Sequence, residues 1–211
     1  MKKALGILVV VLVGFALFVA TRPAHFKVSR ALAMHAPADV VYALLVDFHE
    51  WAGWSPWDKM DPTMERTYSG ADRGVGAAYA WQGNDKVGVG AMTIKDARPS
   101  SRIVIDLNFE KPMKAHNVTT FSLLPHGEGT TLVTWSMEGD NGFVGKAFGV
   151  VMDMDKMVGS DFERGLDTLK SISEGEAKKA AELRQAEAQK QAAAAAVQAT
   201  PDGGIAAPTK P

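Results

Sequence analysis

The sequence predicts an α+β fold in which a curved antiparallel sheet of about six or seven strands faces one long C-terminal helix. Two observations support this architecture. Segments with alternating apolar residues, separated by turn residues, fill residues 63–138, and apolar residues with helical spacing fill residues 143–172. An unbroken apolar run at the N-terminus adds a predicted transmembrane helix outside this fold.

The N-terminal run has the length of a short membrane-spanning helix. Lys2 and Lys3 precede an uninterrupted apolar stretch over residues 4–20, ALGILVVVLVGFALFVA. A helix over this stretch is roughly 25 Å long, at the short end of a bilayer span. A cleaved signal peptide usually has a shorter apolar region and an A-x-A-like site, whereas bulky Phe18 stands two places before Ala20. The sequence favours an uncleaved, single-pass anchor in the cell membrane, and the N-terminal lysines favour an extracytoplasmic body.

The body of the protein is predicted to begin with a strand and a short helix. Residues 26–34 alternate between apolar and polar side chains, and Pro37 opens an amphipathic segment, ADVVYALLVDF. The stretch that follows, WAGWSPWDKMDP at 51–62, holds three tryptophans and two prolines. Its prolines exclude a long regular element, so we expect either a staple for the short helices or a cover over an apolar site.

Further strands are predicted after the tryptophan-rich stretch, joined by turns. GND at 83–85 and HGEG at 126–129 are typical of hairpin connections, and RPSS at 98–101 is typical of a turn. The predicted strands cover residues 63–68, 77–82, 87–97, 102–109, 116–124 and 130–138.

The last element of the body is predicted to be one helix over residues 143–172. Its apolar positions step by three and four and form one stripe: Phe143, Ala147, Val151, Met154, Val158, Phe162, Leu166 and Leu169. A sheet of about six strands is wider than one helix with its side chains, so this helix cannot fill the whole concave face. A cavity is therefore expected between the sheet and the helix.

The C-terminal region differs in composition from the body. Residues 174–199 are rich in Ala, Glu, Gln and Lys, with almost no large apolar side chain, which predicts a solvated helix. The final segment, TPDGGIAAPTKP, is typical of disorder. No chemistry is assigned to this tail.

Several function classes are excluded or disfavoured by composition. The net charge is −1 and basic residues do not cluster, so a nucleic-acid partner is not expected. The chain has no cysteine, which excludes disulfides, thiolate metal sites and cysteine nucleophiles. Asp153 and Asp155 would point some 200° apart on a helix and cannot share one metal ion. We expect no metal and no cofactor, and the oligomeric state stays open.

Methionines and tryptophans are the main candidates for lining the expected cavity. Methionine suits an adaptable apolar site, and indole rings suit its rim. The one candidate acid/base pair is His116 with Asp106 or Glu110, although a surface or structural role for this histidine is favoured. No catalytic residue and no metal ligand is assigned. The predicted ligand-binding residues are Trp54, Trp57, Trp81, Met92, His116, Trp135, Met154, Met157 and Val158.

The body also resembles the START-like (SRPBCC) superfamily, in its polyketide cyclase/dehydrase and lipid-transport branch. The resemblance is carried by APADVVYALLVDFHEWAGWSPW with DP following, and then by GVGAAYAWQG, GVGAMTI, NFEKPMKAHN, TWSMEG and MDMDKMVGSDFERGL. It implies the helix-grip fold, in which the sheet wraps the C-terminal helix around an apolar pocket, in a membrane-anchored bacterial member. The implied organisation is an anchor over 1–22, a START-like domain over 23–173 and a tail over 174–211.

Three functions follow from this reading. The favoured one is a membrane-anchored binding or carrier module for an apolar small molecule or lipid. The second is a cyclase/dehydrase-type enzyme that uses the same cavity, for which the sequence offers no convergent acid/base pair. The third is a structural or regulatory envelope protein without a ligand. The volume of the cavity separates the third from the others, because ligand sites typically enclose about 300 Å³ or more.

Overall fold

The computed structural model describes residues 2–151 and 153–198. Over these residues the helices are α1 (Lys2–Ala20), α2 (Ala38–Val46), α3 (Trp51–Trp54), α4 (Pro56–Met60), α5 (Phe143–Val151) and α6 (Met154–Gln198). The strands are β1 (His25–Met34), β2 (Glu65–Gly70), β3 (Ala77–Gln82), β4 (Val89–Arg98), β5 (Arg102–Lys111), β6 (Ala115–Pro125) and β7 (Thr131–Asp140).

The strands form one antiparallel sheet of seven strands in the order β1-β7-β6-β5-β4-β3-β2. Consecutive strands from β2 to β7 are neighbours, and β1 closes on β7 with His25 opposite Asp140 and Met34 opposite Thr131. The predicted α+β fold, a curved antiparallel sheet that wraps one long C-terminal helix, is confirmed. Because neighbouring strands are antiparallel, β1, β2, β4 and β6 all begin at one end of the sheet, where β3, β5 and β7 end.

The core lies between the concave face of the sheet and one face of α6. Alternate residues of β6 and β7 point inward, so that Phe121 and Trp135 are fully buried. On α6, Phe162, Leu166 and Leu169 are buried against them. Burying each such apolar side chain contributes about 1.5–3 kcal/mol relative to exposure, which explains why the helix stays on the sheet.

The single helix predicted over residues 143–172 is wrong in both its bounds and its continuity. The structure has α5 first, and α6 then begins at Met154 and runs without interruption to Gln198. The first part of the predicted apolar stripe is not buried, since Phe143 is 54% exposed. The reason is that α5 contacts α1 instead of the sheet. Met152 and the predicted disordered segment 200–211 lie outside the described residues.

The N-terminal helix α1 is long and apolar enough to cross a membrane, which makes it a candidate anchor or signal sequence. Its side chains are exposed along nearly the whole length, whereas Val19 near its end is fully buried. Only residues 21–24 separate α1 from β1. The start of the sheet therefore lies close to the end of this apolar helix.

Candidate functional site

An apolar cavity of about 280 Å³ lies between the concave face of the sheet, the start of α6 and the short helix α4. This volume is close to the lower end of small-molecule sites, which begin at about 300 Å³. The strands contribute Tyr79, Trp81, Met92, Ile105, Leu107, Phe109, Trp135 and Met137. The helices contribute Trp51, Trp57, Met60, Met157, Val158 and Phe162.

The cavity is open at one end of the sheet, where the strands begin or stop. Its wall includes Lys86 and Val87 of the β3–β4 connection, Lys111 at the end of β5, and Pro112 of the β5–β6 connection. These residues lie at the end of the sheet where β1 begins and β7 ends. Met157 of α6 belongs to the wall and is 45% exposed, so it stands where the cavity meets solvent.

Six of the residues predicted from the sequence lie together in the cavity wall. Five of them bring apolar or aromatic surface from different elements, and the sixth, Met157, stands at the opening. They are Trp57, Trp81, Met92, Trp135, Met157 and Val158. The Trp135 ring stacks on Phe162 at 4.1 Å and meets the Trp57 ring edge-on at 5.7 Å. Trp81 packs separately, on Tyr79 and Phe109.

Trp54 lies outside the cavity wall and belongs to the core. Its side chain is fully buried, and its Nε1–H donates to the carbonyl oxygen of Leu44 at 3.2 Å. Trp51 makes the matching bond from its Nε1–H to Leu45 O at 3.1 Å. These two indoles tie α3 to the end of α2, as the staple alternative predicts. The tryptophan-rich stretch thus divides its roles, with Trp54 in the staple and Trp57 in the cavity wall.

Met154 and His116 also lie outside the cavity wall. Met154 is the first residue of α6 and lies one turn before Val158, beyond the opening of the cavity. His116 points to the convex side of the sheet, because its neighbour Asn117 is buried while its own side chain is 64% exposed. The pair with Asp106 does form, with Nε2 2.5 Å from Oδ1, but it faces away from the cavity.

Polar groups in the wall were not anticipated from the sequence. The Asp58 carboxylate belongs to the wall and is bound by the Arg66 guanidinium at 2.6 Å. Burial raises the pKa of the nearby Tyr79 phenol well above its usual range, so this group stays neutral. Burial also raises the pKa of Asp161, although Arg164 opposes this effect. Asp58 stands beside Trp57 in the sequence, but only the folded path of α4 shows that it reaches the cavity.

One donor in the wall lacks a partner in the described part of the chain. The Nε1–H of Trp135 is buried and makes no hydrogen bond there. An unpaired buried donor costs about 1–3 kcal/mol.

The acidic side chains of the cavity wall are paired. Asp58 and Asp161 each have an arginine partner, Arg66 and Arg164 respectively. Among the residues that the structure describes, no group of three or more His, Cys, Asp or Glu side chains could hold a metal ion.

Comparisons with known proteins concern the same part of the chain. A family model described as polyketide cyclase / dehydrase and lipid transport matches residues 24–174. A crystal structure of a protein from Chromobacterium violaceum is 16% identical with a TM-score of 0.52, over 70% of this chain and 96% of that chain. The solution structure of the Aha1 dimer from Colwellia psychrerythraea is 14% identical with a TM-score of 0.51, over 71% of this chain and 96% of that one. A solution structure from Thermobifida fusca is 19% identical with a TM-score of 0.52, over 68% and 90%. No curated protein matches the chain.

Proposed function

Because the chain belongs to the polyketide cyclase/dehydrase and lipid transport family of the START-like (SRPBCC) superfamily, we propose that it is a membrane-anchored carrier for an apolar small molecule or lipid. The observation that carries the proposal is the apolar cavity of about 280 Å³ beside α6. A cavity of this size lined by aromatic and methionine side chains excludes water from an apolar guest, which is the main source of its affinity.

The lining favours an adaptable site. Met92, Met137 and Met157 bring flexible, polarizable side chains from β4, β7 and α6 to the same space. Trp57, Trp81 and Trp135 bring rigid aromatic surface. This combination fits ligands of varying shape better than it fits one rigid substrate.

The ligand is proposed to carry a polar end that faces the opening of the cavity. Lys86 and Lys111 at the open end would face the end of the ligand that stays nearest to solvent. An apolar molecule with a polar or anionic end outside the cavity suits these two lysines.

The proposal includes the organisation of the chain. Residues 1–22 form an uncleaved membrane anchor, residues 23–173 form the ligand-binding domain and residues 174–211 form the tail. The anchor is supported by the length and exposure of α1, which leaves apolar side chains uncovered in water. The two lysines at its start support an extracytoplasmic location for the domain.

The test measures ligand content and ligand uptake of the full chain. Native mass spectrometry of the detergent-extracted protein should find a co-purifying apolar compound, and titration with an NBD-labelled fatty acid should show saturable binding. Val158→Trp should weaken this binding at least tenfold with little change in melting temperature, because the indole fills the cavity. The matched control is Asp167→Trp, at an exposed position of the same helix, which should bind normally.

The outcomes separate the alternatives. If wild type binds no probe and Val158→Trp destabilises the fold by about 1–3 kcal/mol, as overpacking does, the site is a solid core and the carrier proposal fails. If the co-purifying compound is converted during incubation, the protein is an enzyme of the cyclase/dehydrase kind.

A further inference from the structure

We propose that α5 lies in the headgroup region of the membrane beside α1, so that the opening of the cavity faces the bilayer. This inference rests on the membrane-anchored part of the proposed function and adds a second lipid contact. The partner is a lipid surface, and the consequence is that a ligand enters the cavity from the bilayer.

The first argument is the exposed apolar face of α5. Phe143, Val144 and Phe148 are 54%, 62% and 49% exposed, and Val150 is also exposed. On a helix, positions 143, 144 and 148 lie within one broad face. Large apolar side chains clustered in this way on a folded domain mark a surface that is covered by a partner or a membrane.

The second argument is continuity with α1. The two helices are in contact, and Val19 near the end of α1 is fully buried. The backbone N–H of Asn141, just before α5, donates to the carbonyl oxygen of Ala24 at 2.8 Å. The exposed face of α5 therefore continues the exposed apolar surface of α1. Since α1 is the part of the chain that enters lipid, the membrane is the occupant that this continuity favours.

The third argument is the short distance between the anchor and the sheet. Four residues, 21–24, separate α1 from β1. Fully extended they span at most about 15 Å, so the domain cannot move far from the membrane surface. The anchor therefore holds one end of the sheet near the membrane, namely the end at which β1 begins.

The cavity opens at the same end of the sheet. Lys111 of its wall ends β5, and Pro112 begins the connection that places Met113, which is 41% exposed, at the surface. Lys86 lies in the neighbouring connection. With α5 in the interface, these two lysines stand where lipid phosphates lie, and the apolar opening faces acyl chains.

The amphipathic character of α5 fits this placement. Gly145 and Gly149 lie on the side opposite to Phe143 and Val144, and Lys146 lies at the margin of the apolar face. Interfacial helices bury one apolar face at the boundary between headgroups and acyl chains and keep the other face polar. The discontinuity between α5 and α6 allows α5 to follow the membrane while α6 stays on the sheet.

The experiment uses the absence of cysteine from the sequence, which permits single labels in the full chain. The variants Val144→Cys and Phe148→Cys carry an NBD label, and the protein is reconstituted in phosphatidylcholine/phosphatidylglycerol vesicles with lipids spin-labelled near the headgroup. Leu12→Cys reports on the anchor with lipids spin-labelled deep in the acyl chain. Glu128→Cys is the unquenched control, because it lies in the hairpin between β6 and β7 at the opposite end of the sheet.

We expect spin-labelled lipid to quench at least half of the fluorescence at positions 144 and 148, and less than a tenth of it at 128. Quenching at 12 without quenching at 144 and 148 overturns this inference and leaves the anchor standing. No quenching at 12 overturns both the anchor and the inference. Labels at 144 and 148 that are shielded in detergent and unquenched in vesicles indicate a protein partner and also overturn the inference.

Uptake kinetics separate this inference from the carrier proposal. The double variant Val144→Asp/Phe148→Asp should take up NBD-labelled fatty acid from vesicles at least fivefold more slowly than wild type. Its affinity for the same probe in detergent should be unchanged, because neither residue belongs to the cavity wall. An unchanged uptake rate contradicts the inference while leaving the cavity intact as a binding site.

Discussion

The guanidinium of Arg30 lies directly over Gly159, and a Cβ atom at position 159 would collide with it. Arg30 points inward from the edge strand β1 and reaches α6. Its Nε donates to Glu163 at 2.6 Å, and its Nη2 donates to Asp155 at 3.0 Å. The hydrogen bond from Arg30 holds the pKa of Asp155 below its usual range. Arg30 thus connects the edge of the sheet to the first turns of α6, next to the cavity.

Gly159→Ala should fail to stabilise the protein, although Ala is about 1 kcal/mol better than Gly in a helix. The added methyl group forces Arg30 away from its two carboxylates, and this loss offsets the gain in helix propensity. Gly175→Ala is the matched control, because a Cβ at 175 on the same helix meets open space. Urea unfolding should show a gain of about 0.5–1 kcal/mol for Gly175→Ala alone.

The role of Arg30 is checked in a double variant. In the Arg30→Ala background, Gly159→Ala should regain the stabilisation seen at position 175. Equal stabilisation by the two glycine substitutions in the wild-type background would contradict the close approach of Arg30.

The architecture of the body could be predicted because its signals are local. The strands alternate and turn residues separate them, so their predicted positions agree with the structure within about three residues. The interruption before Met154 was missed because the apolar spacing of Ala147, Val151 and Met154 continues through it. The spacing indicates a face, but it does not indicate whether that face meets the sheet or α1.

The composition of the site could be predicted only in part. Residue type identified Trp57, Trp81 and Met92, since methionine and tryptophan side chains suit the wall of an apolar cavity. Trp54 is of the same type but points into the core, because the path of α3 and α4 decides which indole faces the cavity. Tyr79 was missed because its place on the inner face of β3 follows from strand register, which spans the whole sheet.

Asp61 should make the stability of the protein depend on acidic pH. Its carboxylate accepts hydrogen bonds from Thr63 Oγ1 at 2.8 Å and from the backbone N–H of Asn84 at 2.7 Å. The bond from Thr63, followed by that from Asn84, lowers the pKa of Asp61. The stabilisation is therefore present above the unfolded-state pKa of about 4 and is lost as pH falls through the lower folded-state pKa.

Asp61→Asn tests this pH dependence. The variant should be less stable than wild type at pH 7, and the difference should shrink as pH falls from about 5 to 2. Urea unfolding at each pH measures it. Asp85→Asn is the control, since Asp85 is exposed in the β3–β4 connection that also holds Asn84. A pH-independent difference for Asp61→Asn would show that the carboxylate charge has no role.

The contact between the tail and the domain should end near Ala177. Glu174 accepts a hydrogen bond from the backbone N–H of His35 at 2.8 Å, Ser173 is fully buried and Ala177 packs on the core. Leu183, further along α6, is exposed. A chain that ends at residue 180 should melt within a few degrees of the full chain, and a chain that ends at residue 172 should melt clearly lower. Equal melting temperatures for the two truncations would contradict these contacts.

Trp54 and Trp57 stand three residues apart and should respond differently to the same substitution. Trp54→Ala removes a fully buried indole that contacts Phe121 and Trp135, so it should cost about 3–5 kcal/mol of folding stability. Trp57→Ala removes a partly exposed part of the cavity wall, so it should cost less stability and weaken uptake of the NBD-labelled fatty acid at least tenfold. Urea unfolding and probe titration on both variants measure the two effects. Unchanged probe affinity in Trp57→Ala would place the ligand elsewhere, because an apolar guest in this cavity must contact its aromatic wall.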